Sequence, residues 1–274
     1  MRALNDGTTL PDIGFGTYPL RGDEGTAAVL DALAIGYRLI DTAVNYRNED
    51  AVGRAIAQTD VPRSDIVVTT KLPGRDHGYD ETLRSFERSA AALGLDVIDL
   101  YLIHWPNPSI GKYVDAYRAM VRLREEGRVR TVGVSNFTQE HLARVADATG
   151  VMPAVNQVEM HPFFPQVELR AFHAAHGIVT EAWSPLGKAA PVKQAAPVVA
   201  AARAHGVTPA QVVLRWHLQL GSVPIPKSAD PGRRRENLDV FGFELTDDEV
   251  AAITALGRPD GRLFGGDPNV HEEM

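Results

Sequence analysis

Gly14-Phe15-Gly16-Thr17-Tyr18-Pro19 is the stretch that separates the two folds open to this chain. It ends a short apolar run, Ile13–Gly16, that reads as a strand. An open doubly wound sheet with a dinucleotide at its switch point usually carries G-x-G-x-x-G after such a strand. Here the third glycine's place is taken by Pro19, and no helical pattern opens directly. The alternative is an α/β fold of the closed (β/α)8 TIM-barrel type, and the rest of the chain reads that way.

Outward from that stretch, short apolar runs alternate with amphipathic ones. Strands are expected at Ile13–Gly16, Arg38–Asp41, Ile66–Lys71, Val97–His104, Val129–Ser135, Ala154–Glu159, Ile178–Trp183 and Val223–Lys227. Helical spacing lies between them, at Glu24–Ile35, Glu49–Ala57, Tyr79–Leu93, Tyr113–Glu126, Gln139–Ala148, Val167–His176 and Thr208–Leu220. Many of the strands are β-branched runs with little polar alternation, as expected when both faces are buried. Glycines such as Gly36, Gly94 and Gly150 stand at the helix ends, where a left-handed residue closes a helix. Asp6-Gly7 predicts a two-residue hairpin turn between Arg2–Leu4 and Thr8–Leu10. Pro197–His205 and Asp247–Leu256 read as two extra helices. No composition shift marks a boundary, so 1–274 is expected to be one domain, within the size range of such barrels.

The totals exclude several classes. With no cysteine in 274 residues there is no disulfide, no zinc–thiolate site and no thiol nucleophile. No metal site is expected. A net charge of −7 argues against a nucleic-acid partner. No apolar run approaches the ~20 residues of a membrane span. The start lacks the apolar core of a signal peptide, so a cytoplasmic monomer is expected. Arginine outnumbers lysine 23 to 5, which draws attention to each lysine.

In such barrels chemistry sits at the C-terminal ends of the strands. Asp41, Lys71 and His104 end three successive apolar strands, and Tyr46 follows Asp41 by one short loop. Each alone has an ordinary explanation: a turn former, a solvated strand end, a core histidine, a rim tyrosine. Together they would crowd one cavity with ionisable groups. A lysine paired with an aspartate stays charged. Its charge beside a tyrosine favours the phenolate and is expected to lower a pKa that starts near 10. That makes a general acid able to protonate an alkoxide. A neutral histidine can donate a hydrogen bond to the same oxygen.

The last cluster also reads from the residues. Lys227-Ser228 ends the eighth strand, and Pro231 opens a short helix containing Arg233-Arg234-Arg235-Glu236-Asn237. Cations in a helix's first turns oppose its dipole. A bound anion would relieve that conflict and use the free N–H groups, and arginine's fork suits a phosphate.

Taken together, the motifs resemble the aldo-keto reductase family, in particular its short bacterial and plant members similar to the 2,5-diketo-gluconate reductases. They are Gly36-Tyr37-Arg38-Leu39-Ile40-Asp41-Thr42-Ala43-Val44-Asn45-Tyr46 with Asn48-Glu49, Thr69-Thr70-Lys71-Leu72 and Leu100-Tyr101-Leu102-Ile103-His104-Trp105-Pro106. Gly133-Val134-Ser135-Asn136-Phe137, Asn156-Gln157-Val158-Glu159, Pro226-Lys227-Ser228 and Glu236-Asn237-Leu238 complete the set. The resemblance runs from Gly14 to about Leu256. It implies NADPH-dependent reduction of small aldehydes, dicarbonyls or keto-sugars, with Tyr46 as proton donor, Lys71 and Asp41 tuning it, and His104 orienting the carbonyl. It further implies that Ser135, Asn136 and Gln157 hold the nicotinamide carboxamide, and that Trp183 stacks on the ring. Ser184, Leu186 and Gly187 would bind the pyrophosphate. Lys227, Ser228 and Arg233 would take the 2′-phosphate, and Glu236 and Asn237 would reach the adenine. Arg234 and Arg235 have no such role and are expected to be solvated.

Tyr18, Pro73 and Trp105 are the residues expected to line the substrate pocket. Many relatives carry a bulky aromatic where this chain has Pro73, followed by Gly74. The pocket wall is therefore expected to be low and open, with a short polar tail after Leu256 and brief loops, a combination suited to small substrates. Two other functions compete. A Schiff-base lyase needs a neutral lysine, which Asp41 opposes. A non-catalytic NADPH-binding module would not need the complete tetrad.

Overall fold

The computed structural model describes residues 1–188 and 190–273. An antiparallel hairpin, β1 (Arg2–Ala3) and β2 (Thr9–Leu10), precedes the barrel. Its turn differs from the expected one. Leu4 N donates to Thr8 O at 2.9 Å and Gly7 N to Leu4 O at 3.2 Å, so the loop is the three residues Asn5-Asp6-Gly7. Gly7 is left-handed at φ 87°, as such a loop requires, and the Asp6 carboxylate accepts from Thr8 N and Oγ1 at 3.0 and 2.7 Å. Leu4 and Leu10 pack with Leu39, Leu100, Leu102, Val155 and Val223, so the hairpin plugs the N-terminal end of the barrel.

Eight parallel strands follow in sequential order: β3 (Phe15–Gly16), β4 (Leu39–Asp41), β5 (Val67–Leu72), β6 (Ile98–Ile103), β7 (Val129–Ser135), β8 (Val155–Glu159), β9 (Val179–Trp183) and β10 (Val223–Ile225). The ring closes between its two ends, where Gly14 N donates to Pro224 O and Gly16 N to Pro226 O, both at 3.0 Å. A Cβ on Gly14 would meet Ile225 Cδ1 at 2.6 Å and Leu39 Cγ at 2.9 Å. The paired glycines of the opening stretch thus let the two edge strands approach rather than cradle a phosphate.

The outer layer is α1 (Gly22–Ile35), α2 (Glu49–Gln58), α3 (Tyr79–Leu93), α4 (Tyr113–Glu125), α5 (Gln139–Thr149), α6 (Val167–Ala175), α7 (Ala196–His205), α8 (Pro209–Gln219), α9 (Pro231–Leu238) and α10 (Asp247–Thr254). Apolar faces of α1 to α5 form the main core against the sheet, while α7, α8 and α10 bury Val198, Ala201, Trp216 and Ile253 with Val158 and Ala182 of the barrel. The two extra helices, α7 and α10, are therefore built into the core. No described helix is long and apolar enough to cross a membrane.

After α10 the chain turns back across the C-terminal mouth of the barrel. Leu263 N donates to Glu159 Oε1 at 2.7 Å, and the His271 ring lies 4.1 Å from that of Trp105. The low, open pocket wall expected at Pro73-Gly74 is not what forms. Both residues are buried, and the space beside Gly74 is filled by the Asn107 side chain and the backbone of Glu273. Missing side-chain volume on one wall is taken up by chain arriving from elsewhere, as close packing favours.

Candidate active site

The four tetrad candidates converge. β4 ends at Asp41, and β5 carries Lys71 one residue before its end. The fully buried Lys71 Nζ donates to both Asp41 carboxylate oxygens at 2.7 Å, to Thr42 O at 3.0 Å and to Tyr46 Oη at 3.3 Å. Tyr46 reaches this point on a single 3-10 turn, Val44–Tyr46, which is steadied by Arg21 Nε donating to Tyr46 O at 2.8 Å. His104 follows β6 and sets its ring at 5.8 Å, edge-on to Tyr46. Behind them, Asn48 locks the loop by donating to Leu20 O at 2.7 Å and accepting from Thr42 Oγ1 at 2.6 Å.

The electrostatics differ in one respect from the expectation. Burial pushes the Tyr46 phenol above its ordinary pKa, and Asp41 and Glu273 push the same way, so the lowering by Lys71 is outweighed. The phenol holds its proton, while Lys71 supplies the positive charge that a phenolate would need. For Lys71 itself burial acts downward, but Asp41 and Tyr46 overcome it and raise its pKa above that of a free lysine. It is therefore a fixed ammonium, not a neutral amine.

Two carboxylates that sequence reasoning left out stand in this site. Glu181, in the middle of β9, is fully buried, and burial with the neighbouring Asp41 pushes it up to about 8. Gln157 Nε2 donates to Glu181 Oε2 and to Asp41 Oδ2, each at 2.8 Å. An atom flanked by two carboxyl groups must be the amide nitrogen, so Gln157 Oε1 is the end able to accept from a bound amide. An acidic residue inside an apolar strand run was the signal for Glu181. Glu273 comes from the tail, far along the chain, and had no local signal. Its Oε1 lies 2.8 Å from His104 Nδ1, off the direction of an aligned hydrogen bond.

The expected cofactor residues line one side of the same mouth. Ser135 Oγ donates to Gln157 O at 2.7 Å, and Asn136 Nδ2 to Ser135 Oγ and His104 O, both at 3.0 Å. Trp183 Nε1 donates to Asn136 Oδ1 at 2.9 Å, which fixes the indole edge and leaves its half-buried ring against Phe264 of the tail, 5.4 Å away. Leu186 is half-buried in the following loop, where Ser184, Gly187 and Lys188 all have left-handed backbone, at φ 50°, 69° and 47°. That geometry can turn N–H groups toward an anion.

The cationic cluster at α9 divides. Lys227 and Arg233 are exposed, whereas Arg234 is 4% exposed and is not solvated as expected. Its Nε pairs with Asp31 Oδ2 of α1 at 2.7 Å, and its Nη1 donates to Ser228 O and Ala229 O. Arg235 is mostly exposed and only skirts Asp31, at 3.5 Å. The helix N-terminus is also partly served by the protein, because the Asp230 side chain accepts from Arg233 N at 2.8 Å. Glu236 accepts from Thr208 Oγ1 at 2.7 Å, and Asn237 is buried behind it.

Of the pocket candidates, Tyr18 is exposed at the rim with its ring 5.2 Å from Tyr46, Trp105 lies under His271, and Pro73 is buried.

Comparison with known proteins agrees with this architecture. A profile of the Aldo/keto reductase family matches residues 12–258. The chain is 58% identical over 272 residues to 2,5-diketo-D-gluconic acid reductase B of Corynebacterium sp. (strain SHS752001), covering 99% of this chain and 98% of that one. It superposes on a crystal structure of a Gox0644 variant in complex with NADPH at a TM-score of 0.94 with 49% identity, over 99% and 98% of the two chains. It also superposes on a Bombyx mori aldo-keto reductase in complex with NADP at a TM-score of 0.87 with 35% identity, over 93% and 92%. The chain belongs to the aldo/keto reductase family.

Proposed function

We propose that the protein reduces small aldehydes, dicarbonyls or keto-sugars to alcohols with NADPH, Tyr46 donating the proton. The observation that carries this reading is the tetrad itself, a phenol 3.3 Å from an ammonium that Asp41 grips with both oxygens. The relative named as a diketogluconic acid reductase supports the keto-sugar part of the range.

When bound, NADPH supplies the hydride. The residues fit it: Gln157, Ser135 and Asn136 offer an acceptor and hydroxyl and amide groups for a carboxamide, and Trp183 offers a ring face. The loop of Ser184, Leu186 and Gly187 would bind the pyrophosphate. Lys227, Ser228 and Arg233 would take the 2′-phosphate, and Glu236 and Asn237 would reach the adenine. Arg233 would hold a phosphate through its side chain, since Asp230 already engages its backbone N–H.

Tyr46 then gives its phenolic proton to the carbonyl oxygen as negative charge develops there. Lys71 stabilises the phenolate left behind, and Asp41 prevents Lys71 from leaving its place. General acid catalysis of this kind is worth about 10²–10⁴-fold. His104 holds the same oxygen with a hydrogen bond. A Schiff-base role for Lys71 fits poorly with an ammonium engaged by Asp41, Thr42 and Tyr46.

The test is NADPH oxidation, followed by absorbance, against aldehydes, dicarbonyls, keto-sugars and bulky ketones. Turnover with small carbonyls and a low kcat/KM for a steroid-like ketone are expected. Pro73→Trp should depress even the small substrates, because Pro73 is already buried. No turnover with any carbonyl in the presence of bound NADPH would sink the reading.

A further inference from the structure

We propose that Glu273 is a built-in competitor of the substrate: its carboxylate stands beside His104, Lys71 and Tyr46 in the space that a carbonyl oxygen needs, and the tail must lift before substrate can bind. The proposal rests on reading Tyr46 and His104 as the carbonyl-oxygen site.

The tail's far end is fitted to the mouth. Ser109 N donates to Glu272 Oε1 at 2.8 Å, and Glu273 N donates to Asn107 Oδ1 at 3.3 Å. Asn107 Nδ2 returns a hydrogen bond to Glu273 O. A Cβ on Gly74 would lie 2.0 Å from both Asn107 Nδ2 and Glu273 O, so only glycine lets the tail lie where it does. The absent side chain at that position therefore makes room for the chain's own tail.

This placement delivers the Glu273 carboxylate into the tetrad. The side chain is only 16% exposed, with Oε1 2.8 Å from His104 Nδ1. The groups facing it are His104, Asn45, Lys71 and Tyr46, with His77 alongside. Burial alone would push the carboxyl pKa up, but His104, aided by Asn45 and Lys71, holds it below its ordinary value. It therefore sits there as an anion. A planar carboxylate offers an sp² oxygen of the same shape as a carbonyl, and it carries a charge that a neutral aldehyde lacks. Glu273 and a substrate oxygen cannot both occupy the space beside His104 and Tyr46.

The attachment looks reversible by construction. Beyond the root at Glu159, the tail is held by ring contacts of Phe264 with Trp183 and of His271 with Trp105, and its last residues by a few polar bonds. Segments of that kind open locally at low cost. The apparent affinity for substrate is then the intrinsic one multiplied by the open fraction, so the closed strap raises KM without touching kcat.

Glu273→Gln and truncation after Val270 test this at saturating NADPH with a small neutral aldehyde. KM should fall by about threefold or more in both, with kcat within about twofold of the full chain. An unchanged or increased KM in Glu273→Gln overturns the proposal, an increase meaning that Glu273 helps to bind substrate. Amide exchange of residues 267–272, measured without substrate, should be faster in Glu273→Gln than in the full chain. Equal exchange also overturns it. The exchange experiment needs no turnover, so failure of the strap and failure of the reductase reading are told apart.

Discussion

Lys71 shows how one side chain is over-determined by its surroundings. Its ammonium has three hydrogens and is shared among Asp41, Thr42 O and Tyr46, with no exposed surface. Tyr46→Phe removes only the hydroxyl at the end of that chain. It is expected to cut turnover about 10²–10⁴-fold while leaving NADPH affinity nearly unchanged. Retention of more than about a tenth of the rate, measured where chemistry limits, would remove Tyr46 from its role. Glu181 is the second residue with a measurable signature. Its pKa is pushed from 4.5 to about 8, so the folded protein binds a proton that the unfolded chain releases. The stability this contributes is complete below about pH 4.5 and is lost as pH rises toward 8. Glu181→Gln should therefore flatten the loss of stability across that window, as followed by denaturant titrations at several pH values. The same slope in both proteins would show that Glu181 is ionised in the fold.

At the scale of elements, α9 separates two arginine roles that look alike in sequence. Arg233 faces out beside Lys227, and Arg233→Ala should weaken NADPH by about 1.5–3 kcal/mol with little change for NADH. Fluorescence titration of both cofactors checks this, and equal losses would displace the 2′-phosphate from α9. Arg234 instead ties α9 to α1 through Asp31 and to the segment that follows β10 through the Ser228 and Ala229 carbonyls. Arg234→Ala leaves Asp31, about a quarter exposed, with only the peripheral Arg235, so the loss should fall below that of a fully buried pair, at about 2 kcal/mol. Chemical denaturation reads this directly. A loss of stability without a shift in cofactor preference distinguishes Arg234 from its neighbour. The N-terminal hairpin is an element of the same sort, since its leucines close the barrel floor on the side away from the chemistry.

For the whole molecule, four buried histidines set the acid limb of stability. Burial depresses His173 and His217 to about 3 and His77 to about 4, and it lowers His141 as well. Each is neutral in the fold and protonates in the unfolded chain below about pH 6.5, so stability falls as pH drops through that region. Glu181 acts in the opposite sense up to about pH 8. Between pH 4.5 and 6.5 the histidines outnumber it, and above 6.5 it acts alone among these groups. Maximum stability is therefore expected near pH 6.5–7, and thermal melts across pH will locate it. A maximum below about pH 5 would mean that these imidazoles are charged inside the protein.

The sequence by itself determined the alternation of strands and helices, the barrel, and three strand-end residues with the tyrosine one loop away. These are local properties: hydrophobic period, helix stops at glycine, and the rule that chemistry gathers where parallel strands end. One difference is local as well. Asp6-Gly7 was read as a two-residue turn, although the register of Arg2 with Leu10 leaves three residues in the loop. Tertiary structure alone decided the rest. It chose which of three adjacent arginines is buried, and it let burial outweigh Lys71 at the Tyr46 phenol. It also brought Glu273 to His104 across 169 positions of chain. Contacts of that separation depend on where packed elements leave space, and no periodicity along the chain encodes it.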